Sequence, residues 1–207
     1  MNKIFKKFLF KKVDKLRDSE IEDIINLVKK ENPKAILASL SKKNIKLYLE
    51  NILNSKNLII FILKRKNKII AYSLIAKKPK FLTSTFKKMK FHILFDLIIN
   101  FQLLKIITII ISYLNFDIFS LSREKKKLIN SNYNLNLLAV SKKYQSKGIG
   151  SYFLKRVFRL IKNSKFITVE SIDKRAYKFY EKKHNFVFLG EKFRIRKNLK
   201  ILYKKLT

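Results

Sequence analysis

Apolar residues recur at helical spacing twice near the start of the chain. Ile21, Ile24, Ile25 and Val28 predict a helix over 19–30, with Ser19 and Glu22 spaced as a capping box. Ile45, Leu49, Ile52 and Leu53 predict a second helix over 41–53. The pattern then changes period. Leu58–Leu63 and Ile69–Ala76 are apolar, β-branched runs around the polar turn Lys66-Asn67-Lys68, and they predict a β-hairpin that Pro79 closes.

Past residue 130 the periods alternate. Tyr133–Val140 reads as a strand. Ser151–Lys162 reads as a helix with Phe153, Leu154, Val157, Leu160 and Ile161 inward. Phe166–Glu170 reads as a strand, and Asp173–Lys183 as a helix with Asp173 as its N-cap. Phe186–Leu189 and Phe193–Tyr203 close the chain as strands. At the start, Met1–Lys12 is basic, and Lys6 and Lys7 interrupt its apolar run. It lacks the continuous apolar stretch of a signal peptide and reads as a first strand or lead-in, with a membrane-surface anchor as the alternative. The expected fold class is α/β: a mixed sheet flanked by helices, in a single domain over 1–207.

One segment breaks the pattern. Between the third and fourth strands, residues 81–130 form a helical apolar insertion. Within it, 91–116 is mostly apolar, but His92, Asp96, Asn100, Gln102 and Lys105 are spaced through it. A membrane span wants about 20 apolar residues in a row, and a charged group at the bilayer centre costs about 2.5–3.5 kcal/mol. A buried or interface helix is favoured over a helix lying on a membrane surface beside Lys87, Lys88 and Lys90, and a true span comes last.

Composition adds bounds. The chain has no cysteine, which excludes disulfides, thiolate metal sites and a cysteine nucleophile. Its net charge of +35 invites a nucleic-acid reading. That charge is nearly all lysine and travels with abundant Ile and Asn, whereas dedicated phosphate readers favour the arginine fork. Nucleic acid is therefore disfavoured as a partner.

Of three glycines, Gly148 and Gly150 stand one residue apart, just after the strand ending at Val140. A strand, a polar turn and then a helix make an anion pocket, because the helix start carries unpaired N–H donors and the positive end of the dipole. A Walker A loop is excluded, since no glycine precedes Gly148. A dinucleotide fingerprint is excluded by Phe153 at its third glycine position. What remains is Gln145-x-x-Gly148-x-Gly150.

That string resembles motif A of the GNAT superfamily of acyl-CoA-dependent N-acetyltransferases, Gln/Arg-x-x-Gly-x-Gly/Ala. A second block of the family follows at the right distance, as Asp173-Lys-Arg-Ala176 through Phe179-Tyr180-Glu181-Lys182 to Asn185-Phe186. Asp173 stands in place of the usual Asn, and Asn185 in place of the usual Gly. The resemblance covers about 134–189 and, in element order only, 14–76.

The resemblance implies a GNAT-like fold and transfer of an acetyl group from acetyl-CoA to an amine by direct attack, with no metal. Leu138, Ala139 and Val140 would pair with the pantetheine arm. Backbone N–H groups of Gln145, Ser146, Lys147, Gly148, Ile149, Gly150 and Ser151 would hold the pyrophosphate, with Lys142 and Lys143 adding charge and Asp173 nearby. Tyr180 would be the general acid at the leaving sulfur. Glu170 is the candidate base, with His92, His184, Asp117 and Glu124 behind it. The acceptor is expected to be a small-molecule or sugar amine and the setting cytoplasmic. The insertion is left as a lid, a homodimer contact or a peripheral contact with the inner membrane face. The competing reading is a basic protein that binds nucleic acid or a membrane surface and keeps the fold without catalysis.

Overall fold

Alternating strands and helices assemble into one seven-stranded mixed sheet in the order β1-β2-β3-β4-β5-β7-β6. The computed structural model describes residues 5, 7–33, 35–100, 102–104, 106–107, 121–161, 165–171, 173–192 and 199–206. The strands are β1 (Phe8–Val13), β2 (Leu58–Arg65), β3 (Lys68–Ala76), β4 (Tyr133–Val140), β5 (Phe166–Ser171), β6 (Val187–Lys192) and β7 (Leu199–Lys205). The helices are α1 (Asp18–Glu31), α2 (Lys42–Leu53), α3 (Pro79–Lys88), α4 (Lys90–Ile99), α5 (Arg123–Ser131), α6 (Ile149–Leu160) and α7 (Lys174–His184). The expected mixed sheet flanked by helices is the observed architecture, and the insertion lies between β3 and β4. The strand expected over 193–203 is described as β7, while 193–198 and the 108–120 part of the insertion lie outside the described residues.

The hairpin forms as its pattern predicts. β2 and β3 pair antiparallel around Lys66-Asn67, with Lys66 left-handed at φ +54°. β1 then adds antiparallel to β2. β4 joins β5 in the sheet's parallel pair, which the intervening α6 makes possible as a crossover. The two faces are unequally covered. α1, α2, α3 and α4 pack on one side through Ile24, Ile45, Leu82 and Leu97. α6 and α7 cover the other through Phe153, Val157 and Tyr180. Each fully buried side chain of this kind contributes about 1.5–3 kcal/mol relative to exposure.

Four expectations are corrected. The N-cap of α1 is Arg17, not Ser19, and the box closes on Glu20, whose carboxylate accepts from Arg17 N at 2.9 Å. Glu22 instead pairs with Lys42 at 3.1 Å. Glu20 also receives the buried Lys64 ammonium at 2.7 Å. Burial opposes its charge, but the Arg17 N–H and Lys64 together hold its carboxyl at about 2. α6 starts at Ile149 rather than Ser151, and Leu160 points outward, 59% exposed. Pro79 starts α3 rather than merely ending the hairpin, because its missing N–H is no loss in a first turn.

The insertion docks by a polar latch. Asp96, the acidic residue of α4, turns inward. It accepts from Ser41 N and from Asn44 Nδ2, both at 2.7 Å. Ser41 is itself the N-cap of α2, so a carboxylate sits at the positive end of that helix. On the far side, Leu121 lies over Gly190 of β6, where a Cβ would come within 2.1 Å of it. Among the described residues no helix is long and apolar enough to cross a membrane.

Candidate functional site

The sheet opens at its centre. β4 and β5 pair at Tyr133–Ile167, Asn134–Thr168 and Leu135–Val169, and the described pairing ends there. Two local features set the opening. The register of β4 against β3 shifts between Leu74 and Ile75, which are opposite Leu137 and Leu135, so Asn136 is an extra residue on β4. A bulge bends its strand and increases its twist, and this one falls where β4 leaves β5. Below it, Asn134 Nδ2 donates to Thr168 Oγ1 at 3.2 Å and stitches the base of the gap shut. Leu138, Ala139 and Val140 therefore lie on a strand edge with no ladder partner on the β5 side among the described residues. Neither the bulge nor the stitch was anticipated from the sequence, since Asn136 and Asn134 are ordinary polar positions in an apolar run.

The turn after β4 ends at the mouth of this gap. Ser146 and Gly148 are both left-handed, at φ +59° and +76°. Gly148 is the N-cap of α6, and no side chain caps that helix. The first-turn N–H groups of Ile149, Gly150 and Ser151 thus start a helix whose positive end has no built-in counter-charge. Lys142, Lys143, Ser146, Lys147 and Gly148 are exposed around it, while the Ile149 side chain is buried. The turn fits an anionic phosphate group: donors converge, cations surround them, and Gly148 keeps the approach bare.

Gly150 has a different role from the one its spacing suggests. A Cβ there would lie 3.5 Å from the Phe179 ring and 3.7 Å from Val140, both inside the protein. Alanine would fit there at ordinary contact distance, so the packing of α7 on α6 does not itself require glycine. Gln145 serves as a bracket rather than as the expected phosphate donor, because its backbone N–H donates to Lys142 O at 3.2 Å. Its Nε2 donates to Val140 O at 2.7 Å and to Glu31 at 2.9 Å, and its Oε1 accepts from Arg175 at 3.0 Å. Glu31 also accepts from Lys142 N at 2.8 Å, which ties the end of α1 to the turn. Phe5 was missed by sequence reasoning. It stacks on Tyr152 with centroids 4.6 Å apart, and it is the nearest group to a Cβ at Gly148, at 3.9 Å.

The candidate catalytic groups fall on opposite faces of the gap. Tyr180 of α7 lies on the side of Leu138 and Val140, packed on Phe179 and Phe186. Burial, and then the charge of Asp173, push its phenol above the ordinary range, so it holds its proton. Asp173 is an N-cap, accepting from Ala176 N at 2.7 Å. Glu170 stands past the last β4–β5 pair, and strand alternation puts it on the face away from Val169 and α6. Its carboxylate lies 4.0 Å from Lys192.

The histidines separate. His92 is exposed on α4, and Asn44 Nδ2 donates to its carbonyl at 3.3 Å. His184 is buried between Phe158 and Phe179, with Nε2 3.1 Å from Ser151 Oγ. Burial, then Lys155, Lys204 and Lys183, lower it to about 4, so it is neutral near pH 7. Glu124 lies in the first turn of α5, and 117 is outside the described residues.

A mixed sheet parted at one strand pair, with a glycine-opened helix at the mouth, leaves a strand edge beside a turn that suits an anionic group. Residues 123–186 match the model of the acetyltransferase (GNAT) family. The family match is confined to that segment, while the fold along the whole chain is that of solved GNAT-family structures. Among solved structures, it is similar to PH1933 of Pyrococcus horikoshii OT3, with TM-score 0.58 and 18% identity over 97% of this chain and 99% of that one. It is similar to a mosquito arylalkylamine N-acetyltransferase-like protein 5b, with TM-score 0.57 and 14% identity over 96% and 100%. It is also similar to the NatC complex bound to Gag peptide and CoA, with TM-score 0.52 and 13% identity over 97% and 99%. Comparison with curated proteins finds no match.

Proposed function

We propose that this protein moves an acetyl group from acetyl-CoA to the amine of a small-molecule or sugar acceptor by direct attack. One observation carries the reading: the edge of β4 above Leu135, which has no ladder partner on the β5 side among the described residues, leads straight into the left-handed turn that opens α6. The thioester supplies an activated acyl carbon when bound. The chain supplies the rest. N–H groups from Ser146 to Ser151 hold phosphates, with Lys142, Lys143 and Lys147 around them. The edge of Leu138–Val140 orients an extended amide-bearing arm, as a neighbouring strand would. Tyr180, kept protonated, donates to the departing sulfur. Glu170, on the other face, takes a proton in this reading from an amine arriving from the α1–α2 side. Placing acid and base on opposite faces suits a displacement in which the amine arrives on one side and the thiol leaves on the other.

The test is acetyl-CoA binding by calorimetry, together with thiol release across a panel of amines. Gly148→Glu should abolish saturable binding, because it fills the approach with a like-charged group. A basic binder without catalysis would be indifferent to that change and would bind polyanions with a steep salt dependence instead. Retained acetyl-CoA affinity in Gly148→Glu would overturn the site.

A further inference from the structure

α4 is built inside out for a protein in water. Its inward face carries the charge, Asp96, beside Ile93 and Leu97. Its outward face carries Phe91, Leu94, Phe95, Ile98 and Ile99, exposed by between 38% and 72%. These five positions follow one helical stripe, i, i+3, i+4, i+7 and i+8. Leu103, Leu104 and Ile107 continue the exposed apolar surface. Scattered apolar residues are normal on a surface, but a contiguous stripe of this kind marks a contact site. Lys87, Lys88 and Lys90 are exposed at its border, and the Lys90 ammonium lies over the Phe91 ring at 4.8 Å.

We infer that the outward face of α4 docks on an anionic lipid bilayer surface. This goes beyond acyl transfer and does not depend on it. Charge complementarity selects the occupant. A second copy would bring the same three lysines together between chains that each carry +35. An anionic bilayer offers apolar depth for the stripe and opposite charge for its border at once. The latch through Asp96 holds the helix against α2, so the stripe lies on the surface instead of entering the bilayer as a span.

The absence of cysteine gives a clean test on the full chain. Ile98→Cys and Leu160→Cys, each labelled with a polarity-sensitive fluorophore, compare two exposed apolar positions, one on α4 and one on α6 across the sheet. Phosphatidylcholine–phosphatidylglycerol vesicles should blue-shift the Ile98 label and leave the Leu160 label unchanged. Phe95→Ser with Ile98→Ser should lower vesicle partition at least about tenfold while the thermal melt stays two-state. Lys87→Ser with Lys88→Ser and Lys90→Ser should lower it for the anionic vesicles and not for phosphatidylcholine alone. Binding with the Ile98 label unmoved would show adsorption by general charge and overturn the proposal. So would a blue shift that needs no vesicles and rises with protein concentration, which would make the face a self-association surface.

Discussion

Tyr180 is a core side chain to which the proposed reaction also gives a chemical role. Its ring is part of the apolar layer under the sheet, while its phenol is held protonated by burial and by Asp173. Removing only the hydroxyl separates the two roles. Tyr180→Phe should keep the fold and the acetyl-CoA affinity and lower kcat about a hundredfold, the usual worth of a placed proton donor. Steady-state kinetics beside calorimetry would read the split. His184 behaves differently. Its pKa falls to about 4 in the folded state from an ordinary 6.5, so its contribution is complete above pH 6.5 and is lost as the pH falls toward 4. Urea melts at pH 7 and pH 4.5 should show wild type losing about 2–3 kcal/mol more than His184→Gln. Glu20 titrates lower, its stabilising charge being lost between 4.5 and about 2, so the two windows overlap only between about 4 and 4.5.

Among the elements, the insertion owes its place to single residues that its pattern does not advertise. Asp96 looks like an interruption in an apolar run. In the fold it is the group that two donors of α2 converge on, and it sets which side of α4 faces inward. Asp96→Ala should cost about 2–3 kcal/mol in denaturant unfolding, because a charge-assisted acceptor is lost and Asn44 Nδ2 is left without it in the interior. The strands and helices themselves were mostly legible, because period and β-branching are local properties. The bounds of β4 match its apolar run, and Asp173 caps α7 as its type suggests. The start of α1 was misjudged because the capping carboxylate was already committed to Lys64, a partner 44 positions away. Leu160 was misread because helical spacing does not reveal where a covering layer ends.

For the whole molecule, charge and topology act together. A net charge of +35 surrounds a cradle with five donor-bearing turn and helix positions from Lys147 to Ser151. Long-range attraction between exposed charges fades as the Debye length falls from about 10 Å at 0.1 M salt to about 3 Å at 1 M. Acetyl-CoA affinity should therefore weaken several-fold over that range, measured by calorimetry. A flat response would mean that the backbone donors alone hold the phosphates. The sequence by itself determined the order of elements, the turn at Gly148 and the block around Tyr180, because each depends on neighbours within a few residues. Only the tertiary structure decided that β4 parts from β5 at Asn136, that Gly150 lies against Phe179, that Tyr180 and Glu170 lie on opposite faces of the sheet, and that α4 turns its charge inward. Each of these depends on which distant segment comes to lie alongside, and a linear pattern carries no record of that.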